Sequence, residues 1–132
     1  MAVNHTEITP PIAPGESEEG DQILVVNWFK RKYGEMAAAC LHHSPNGGKR
    51  GKLAAMRFRS MGVRRGFPDL ALYMARHGYC GLAVELKLPG EEPTEDQFAW
   101  IARLRDAGWL ADWADSIEEA QEIFEGYMGI IE

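Results

Sequence analysis

Residues 81–88, GLAVELKL, constrain the fold more than any other part of the chain. Leu82, Val84, Leu86 and Leu88 alternate with Ala83, Glu85 and Lys87. A period of two is the period of a strand, because successive side chains of an extended backbone leave opposite faces. One face is Leu and Val and must meet a core. The other sets a carboxylate and an ammonium two residues apart, beside an alanine that leaves space. Such a strand requires a sheet, an apolar layer against it, and a use for the charges on its second face.

The segments around it supply that sheet. Pro68 precedes DLALYMA, a second strand-like run, and His77-Gly78 makes a turn, so the two strands form an antiparallel hairpin. Ser17 caps a first helix over Glu18–Tyr33, with Glu18, Glu19 and Asp21 in the first turn and Ile23, Val26 and Phe29 at helical spacing; Gly34 stops it. Residues 36–42 form a short apolar run that suits a strand. SPNGG at 44–48 is loop chemistry. Residues 49–61 read as a second helix with Leu53 and Met56 inward and basic side chains outward. Thr94-Glu95-Asp96-Gln97 is a capping box opening a helix striped by Phe98, Ile101 and Leu104, ended by Gly108. Residues 109–114 are a further strand. Ser116–Glu119 is a second capping box, opening a helix with Ala120, Ile123 and Phe124 inward. The expected order is α-β-α-β-β-α-β-α, an α/β fold with a mixed sheet flanked by helices. Residues 1–16, with Pro10, Pro11, Pro14 and Gly15, are expected to be a flexible N-terminal arm, and residues 17–132 one domain.

Composition narrows the setting. With 132 residues, 45% hydrophobic and 26% charged, the chain suits a single soluble core. No apolar run approaches the roughly 20 residues a membrane span requires, and no secretory leader is evident. Two cysteines, Cys40 and Cys80, do not make a disulfide scaffold and are read as core thiols of a cytoplasmic protein. The net charge of −6 argues at first against a nucleic-acid binder. Its distribution reverses that inference. Residues 30–65 hold ten basic side chains against one acid, Glu35, a local +9, while the rest of the chain carries −15. Clustered cations attract polyanions whatever the global sum.

The chemistry centres on Asp69, Glu85 and Lys87. Asp69 opens the strand that pairs with the one carrying Glu85, so the two carboxylates approach each other. Close carboxylates repel unless a cation sits between them, and hard oxygen ligands suit Mg²⁺ or Mn²⁺. A lysine beside the ion orients or helps deprotonate an attacking water, which outlines metal-dependent phosphodiester hydrolysis. An isolated Glu-x-Lys is common by chance; its placement after Pro-Asp on a hairpin gives it weight. His42 and His43, adjacent on a strand, point to opposite faces and are read as structural. Trp28, Trp100, Trp109 and Trp113 are read as core. No Walker loop, C-x-x-C or G-x-S-x-G occurs.

With these residues in place, the chain resembles the VRR-NUC domain, a branch of the PD-(D/E)XK nuclease superfamily. The resemblance spans residues 17–127. It rests on the order of an acidic first helix with Gln22, SPNGGKR at 44–50, GVRRGFPDL at 62–70, GLAVELKLPG at 81–90 and TEDQ at 94–97. It implies a restriction-endonuclease-like core in which Asp69, Glu85 and the backbone carbonyl of Leu86 hold one or two divalent ions, with Lys87 beside them. It further implies an acid from the first helix near the metal. Glu18 aligns best, with Glu19 and Asp21 as competitors. Gln97 carries two readings, a place near the active site and a local helix cap, which compete for one side chain. Asn46, Lys49, Arg50, Arg64 and Arg65 are the implied DNA contacts, positioning phosphates without reading bases. Family members include small stand-alone phage and bacterial proteins similar to Holliday-junction resolvases, and domains of larger repair nucleases that cut flaps or crosslinked DNA. The chain is closer in form to the stand-alone kind. The expectation is therefore a metal-dependent endonuclease for branched DNA in a bacterial or phage-infected cytoplasm, working as a homodimer. A flap nuclease and a non-catalytic DNA-binding module are the alternatives.

Overall fold

Ser17 starts the first helix: its backbone is extended and its hydroxyl accepts the Gly20 N–H at 2.9 Å. This computed structural model describes residues 12–44 and 51–129. Helix α1 runs Glu18–Tyr33, as the sequence predicts, and Gly34, at φ 89°, ends it with a conformation that favours glycine. The same glycine begins a short helix, α2, Glu35–Ala38. The expectation of one strand over 36–42 is thus corrected. Met-Ala-Ala favours helix strongly enough to take a turn of its own, and strand β1 is left with Leu41–His43.

Helix α3, Lys52–Ser60, follows, then β2 (Leu70–Leu72), β3 (Leu82–Leu86), α4 (Glu95–Asp106), β4 (Leu110–Ala114) and α5 (Ile117–Met128). The sheet order is β1-β2-β3-β4. The first three strands are antiparallel neighbours, with Leu70 opposite Val84, and β4 lies parallel to β3, with Glu85 opposite Trp113. A parallel pair needs a crossover, and α4 provides it. Every residue of β3 is buried, so both faces of the sheet are covered there.

The two layers differ. On one face Leu70, Leu72, Leu82, Val84 and Leu86 pack with Val25 and Phe29 of α1 and Ala120, Phe124 and Tyr127 of α5. Phe29 and Phe124 meet edge-to-face, ring centroids 5.4 Å apart. On the other face Ala83 and Ala111 meet Ile101 of α4, a far smaller apolar cluster. The capping box of α4 is complete, with Thr94 accepting from Gln97 and Gln97 reaching back. The box expected at Ser116 is made on one side: its hydroxyl accepts the Glu119 N–H at 3.1 Å, while the Glu119 carboxyl engages Asp115.

Three expectations of burial fail, among them Phe98 of the α4 stripe, which is 44% exposed. None of α3 is buried; Leu53 is 69% exposed and Met56 half exposed. Helix α3 touches the rest of the described fold only marginally, so its apolar stripe has no layer to enter. Cys80 is exposed rather than a core thiol, because it lies in the turn region ahead of β3; Cys40 is half-buried. No helix among the described residues is long and apolar enough to cross a membrane.

Candidate metal centre

The β2–β3 register builds the centre. One step beyond the Leu70–Val84 pair, the ladder brings Asp69 level with Glu85. Asp69 is fixed at both ends. Its carbonyl accepts the Ser44 N–H at 2.9 Å, and its Oδ2 accepts the Leu86 N–H at 2.9 Å. Leu86 thus serves the site through its amide. Glu18, in the first turn of α1, completes a triad: one carboxylate oxygen from each of Glu18, Asp69 and Glu85 lies within 4.8 Å of the others.

Helix α4 covers the Glu85 side of the centre. Gln97 Nε2 donates to Glu85 Oε2 at 2.9 Å, and Gln97 Oε1 accepts the Thr94 N–H at 2.8 Å. The two readings of Gln97 do not compete after all. A carboxamide has a donor end and an acceptor end, and this one spends the acceptor on the helix cap and the donor on Glu85. Lys87 Nζ lies 3.4 Å from Glu18 Oε2 and 3.5 Å from Gln97 Oε1, with the side chain 9% exposed.

The electrostatics follow from this crowding. Glu85 is 1% exposed and is pushed up to about 9, first by burial and then by the neighbouring Asp69 carboxylate. Burial also raises Asp69, against the Leu86 N–H that stabilises its charged form. Glu18 is raised by burial too, with Lys87 opposing. Glu85 Oε1 is buried without a hydrogen-bond partner among the described residues. A buried carboxylate oxygen with no donor, beside two further carboxylates, is costly unless a proton shared with Asp69 or a cation sits between them. All-oxygen donors of this kind fit a hard divalent ion.

The VRR-NUC domain profile matches residues 15–118. The chain belongs to the VRR-NUC family. A solved VRR_NUC domain protein is similar to it, at 32% identity and a TM-score of 0.76, the match covering 86% of this chain and 89% of that one. Among curated proteins there is no match. Membership gives the domain a nuclease-type function, and the mixed sheet between helices is the fold of that VRR-NUC relative.

Within this VRR-NUC fold the other sequence-predicted residues fall into three groups. Of the three acids of α1, Glu18 reaches the cluster. Glu19 is exposed, and Asp21 is buried 4% exposed, where its Oδ1 accepts the Gly15 N–H at 2.7 Å. Arg64 and Arg65 are exposed on the loop between α3 and β2. Asn46, Lys49 and Arg50 lie outside the described residues. His43 Nδ1 contacts the Asp69 carbonyl at 3.2 Å, in keeping with a structural part. Sequence reasoning missed the tie between Lys87 and Glu18, and it missed Gly66. At φ +81°, a Cβ on Gly66 would lie 2.8 Å from the Asp96 backbone, so the loop leading to Asp69 presses directly on the first turn of α4. Its signal was the glycine itself, two residues before Pro68-Asp69.

Proposed function

We propose that this chain is a divalent-metal-dependent endonuclease that hydrolyses phosphodiester bonds in DNA. The observation that carries the reading is the buried Glu85 Oε1 without a donor, within a triad of carboxylates and beside a nearly buried lysine. Glu18, Asp69 and Glu85 would hold Mg²⁺ or Mn²⁺, with the Leu86 carbonyl as a further oxygen. Bound there, the ion supplies positive charge against the scissile phosphate and makes water a better nucleophile near neutral pH. The chain's own groups do the rest. The Leu86 N–H aims Asp69, and the Gln97 carboxamide aims Glu85. Lys87, held between Glu18 and Gln97, orients the attacking water and takes part in moving its proton. Arg64 and Arg65, with Lys49 and Arg50, position the phosphate backbone without reading bases.

Branched DNA is the substrate class we favour, with four-way junctions first. One such centre lies among the described residues of the chain, and resolving a junction takes two symmetric cuts, which a twofold homodimer would supply. The test is purified protein against labelled junctions, flaps and linear duplex with Mg²⁺ or Mn²⁺. Paired cuts in the junction are expected. Cutting of flaps alone would replace the junction reading with a flap-nuclease one. Binding without cutting by folded protein would leave a DNA-binding module and overturn the enzyme.

A further inference from the structure

The face of the sheet that carries the carboxylates is not fully roofed by α4. Strand β2 and its flanks send Asp69, Ala71 and Tyr73 to that face, and Ala71 is too small to fill its share. A groove of about 470 Å³ opens there, with Ala71 in its floor and His42, Arg64, Phe67, Tyr73 and Trp100 around it. Two ring pairs flank the floor: Phe67 with Trp100, centroids 5.1 Å apart, and Tyr73 with Trp109, 5.4 Å apart. Tyr73 is 57% exposed although Ala71 and Leu72 beside it are buried. A second hollow, sharing His42 and Tyr73, continues the groove past the edge strand toward Cys40.

Three features select the occupant. The walls are flat and aromatic, which suits stacking of another ring. No carboxylate lines the groove, whereas Arg64 does, its guanidinium tethered through one N–H to the Arg59 carbonyl at 3.0 Å, and the basic helix α3 lies just ahead of it in the chain. The groove also lies near the metal centre along β2: at about 3.3 Å per strand residue, Ala71 lies about 7 Å and Tyr73 about 13 Å from Asp69. That is the reach of a nucleotide or two along a strand held at the carboxylates.

We propose that this groove receives an unstacked nucleobase from the DNA strand whose phosphate lies at Glu18, Asp69 and Glu85. The inference rests on the nuclease reading above. It makes the enzyme select DNA in which a base next to the cut is free to leave its stack, as at a branch point, and it reads shape rather than sequence.

The test places 5-iodouracil, which photocrosslinks to an aromatic ring stacked on it, at each position flanking the mapped cut in the junction. On irradiation of the complex with the Asp69→Ala chain, one of them should crosslink to Tyr73, read by mass spectrometry, and Tyr73→Ala added to that chain should abolish that crosslink. In the active chain, Tyr73→Ala should raise KM about tenfold, the effect of losing one stacked ring, with kcat within about twofold; Tyr73→Phe should restore it. Because Tyr73 is exposed, an unchanged melting temperature is expected and checks the fold. An unchanged KM in Tyr73→Ala, or no crosslink to Tyr73 at any position, would overturn the groove alone while cleavage persists. A Tyr73→Ala chain that changes from dimer to monomer by sedimentation would assign the groove to a second copy and overturn the proposal. If the wild-type chain cuts no DNA, the nuclease reading has failed first.

Discussion

Strand β3 faces two different interiors. Leu82, Val84 and Leu86 enter a dry layer of aliphatic and aromatic side chains from α1 and α5, while Ala83 and Glu85 enter a thin layer beneath α4 that also encloses Lys87. The first layer gains free energy from every side chain it buries, about 1.5–3 kcal/mol for a large one. The second contains a carboxylate that burial and a neighbouring acid drive toward its protonated form. The contrast teaches a division of labour within five residues: one face of the strand stabilises the fold, and the other holds a carboxyl whose charged form the site disfavours until a cation is bound.

The sharpest way to break that division is to change one face and read out the other's property. Asp69→Ala or Glu85→Ala should reduce cleavage about a thousandfold or more, since the cation's contribution is several kcal/mol, while urea unfolding shows the domain still folded. Phe29→Ala, on the dry face, should do the reverse: a loss of about 3–5 kcal/mol in stability, with cleavage per folded molecule unchanged at low temperature. Were Phe29→Ala to abolish cleavage in folded protein, the two faces would not be separable. Glu85→Gln should make the metal-free protein more stable near neutral pH by about 2 kcal/mol, because a neutral isostere removes the cost of protonating a carboxyl that the unfolded chain leaves ionised. Mn²⁺ should raise the melting temperature of the wild type but not of this variant. Smallest of all, Thr94→Ala should cost about 1 kcal/mol as a lost helix cap. Gln97→Ala should lose a similar amount and also slow cleavage about tenfold or more, because it loosens Glu85 as well.

Much of this was legible from local pattern. Ser17 and Gly34 bracket α1 because caps are local chemistry, and the Asp69–Glu85 approach follows from the hairpin that joins their strands. The surroundings of Glu85 were not legible. Its face reads from sequence as roomy beside Ala83, but α4 crosses from β3 to the parallel β4 and closes over it, and no nearby residue announces a crossover. Leu53 and Met56 mislead in the opposite sense. Their spacing marks an apolar stripe, yet periodicity cannot say whether another layer will be there to receive it. Glu18 was separable from Glu19 and Asp21 only in three dimensions, because all three sit in one helical turn and each suits the helix dipole.

Gly66 gives the centre an address in sequence space. Its positive φ disfavours nearly every side chain, and the Asp96 backbone leaves no volume for even a methyl group. Two independent filters therefore act on one position, and glycine alone passes both. A saturation library at residue 66 should return a single letter among its active clones, although the residue touches no carboxylate, carries no charge and performs no chemistry. The spacing between the basic loop and the acidic triad is in this sense encoded by an absence of atoms.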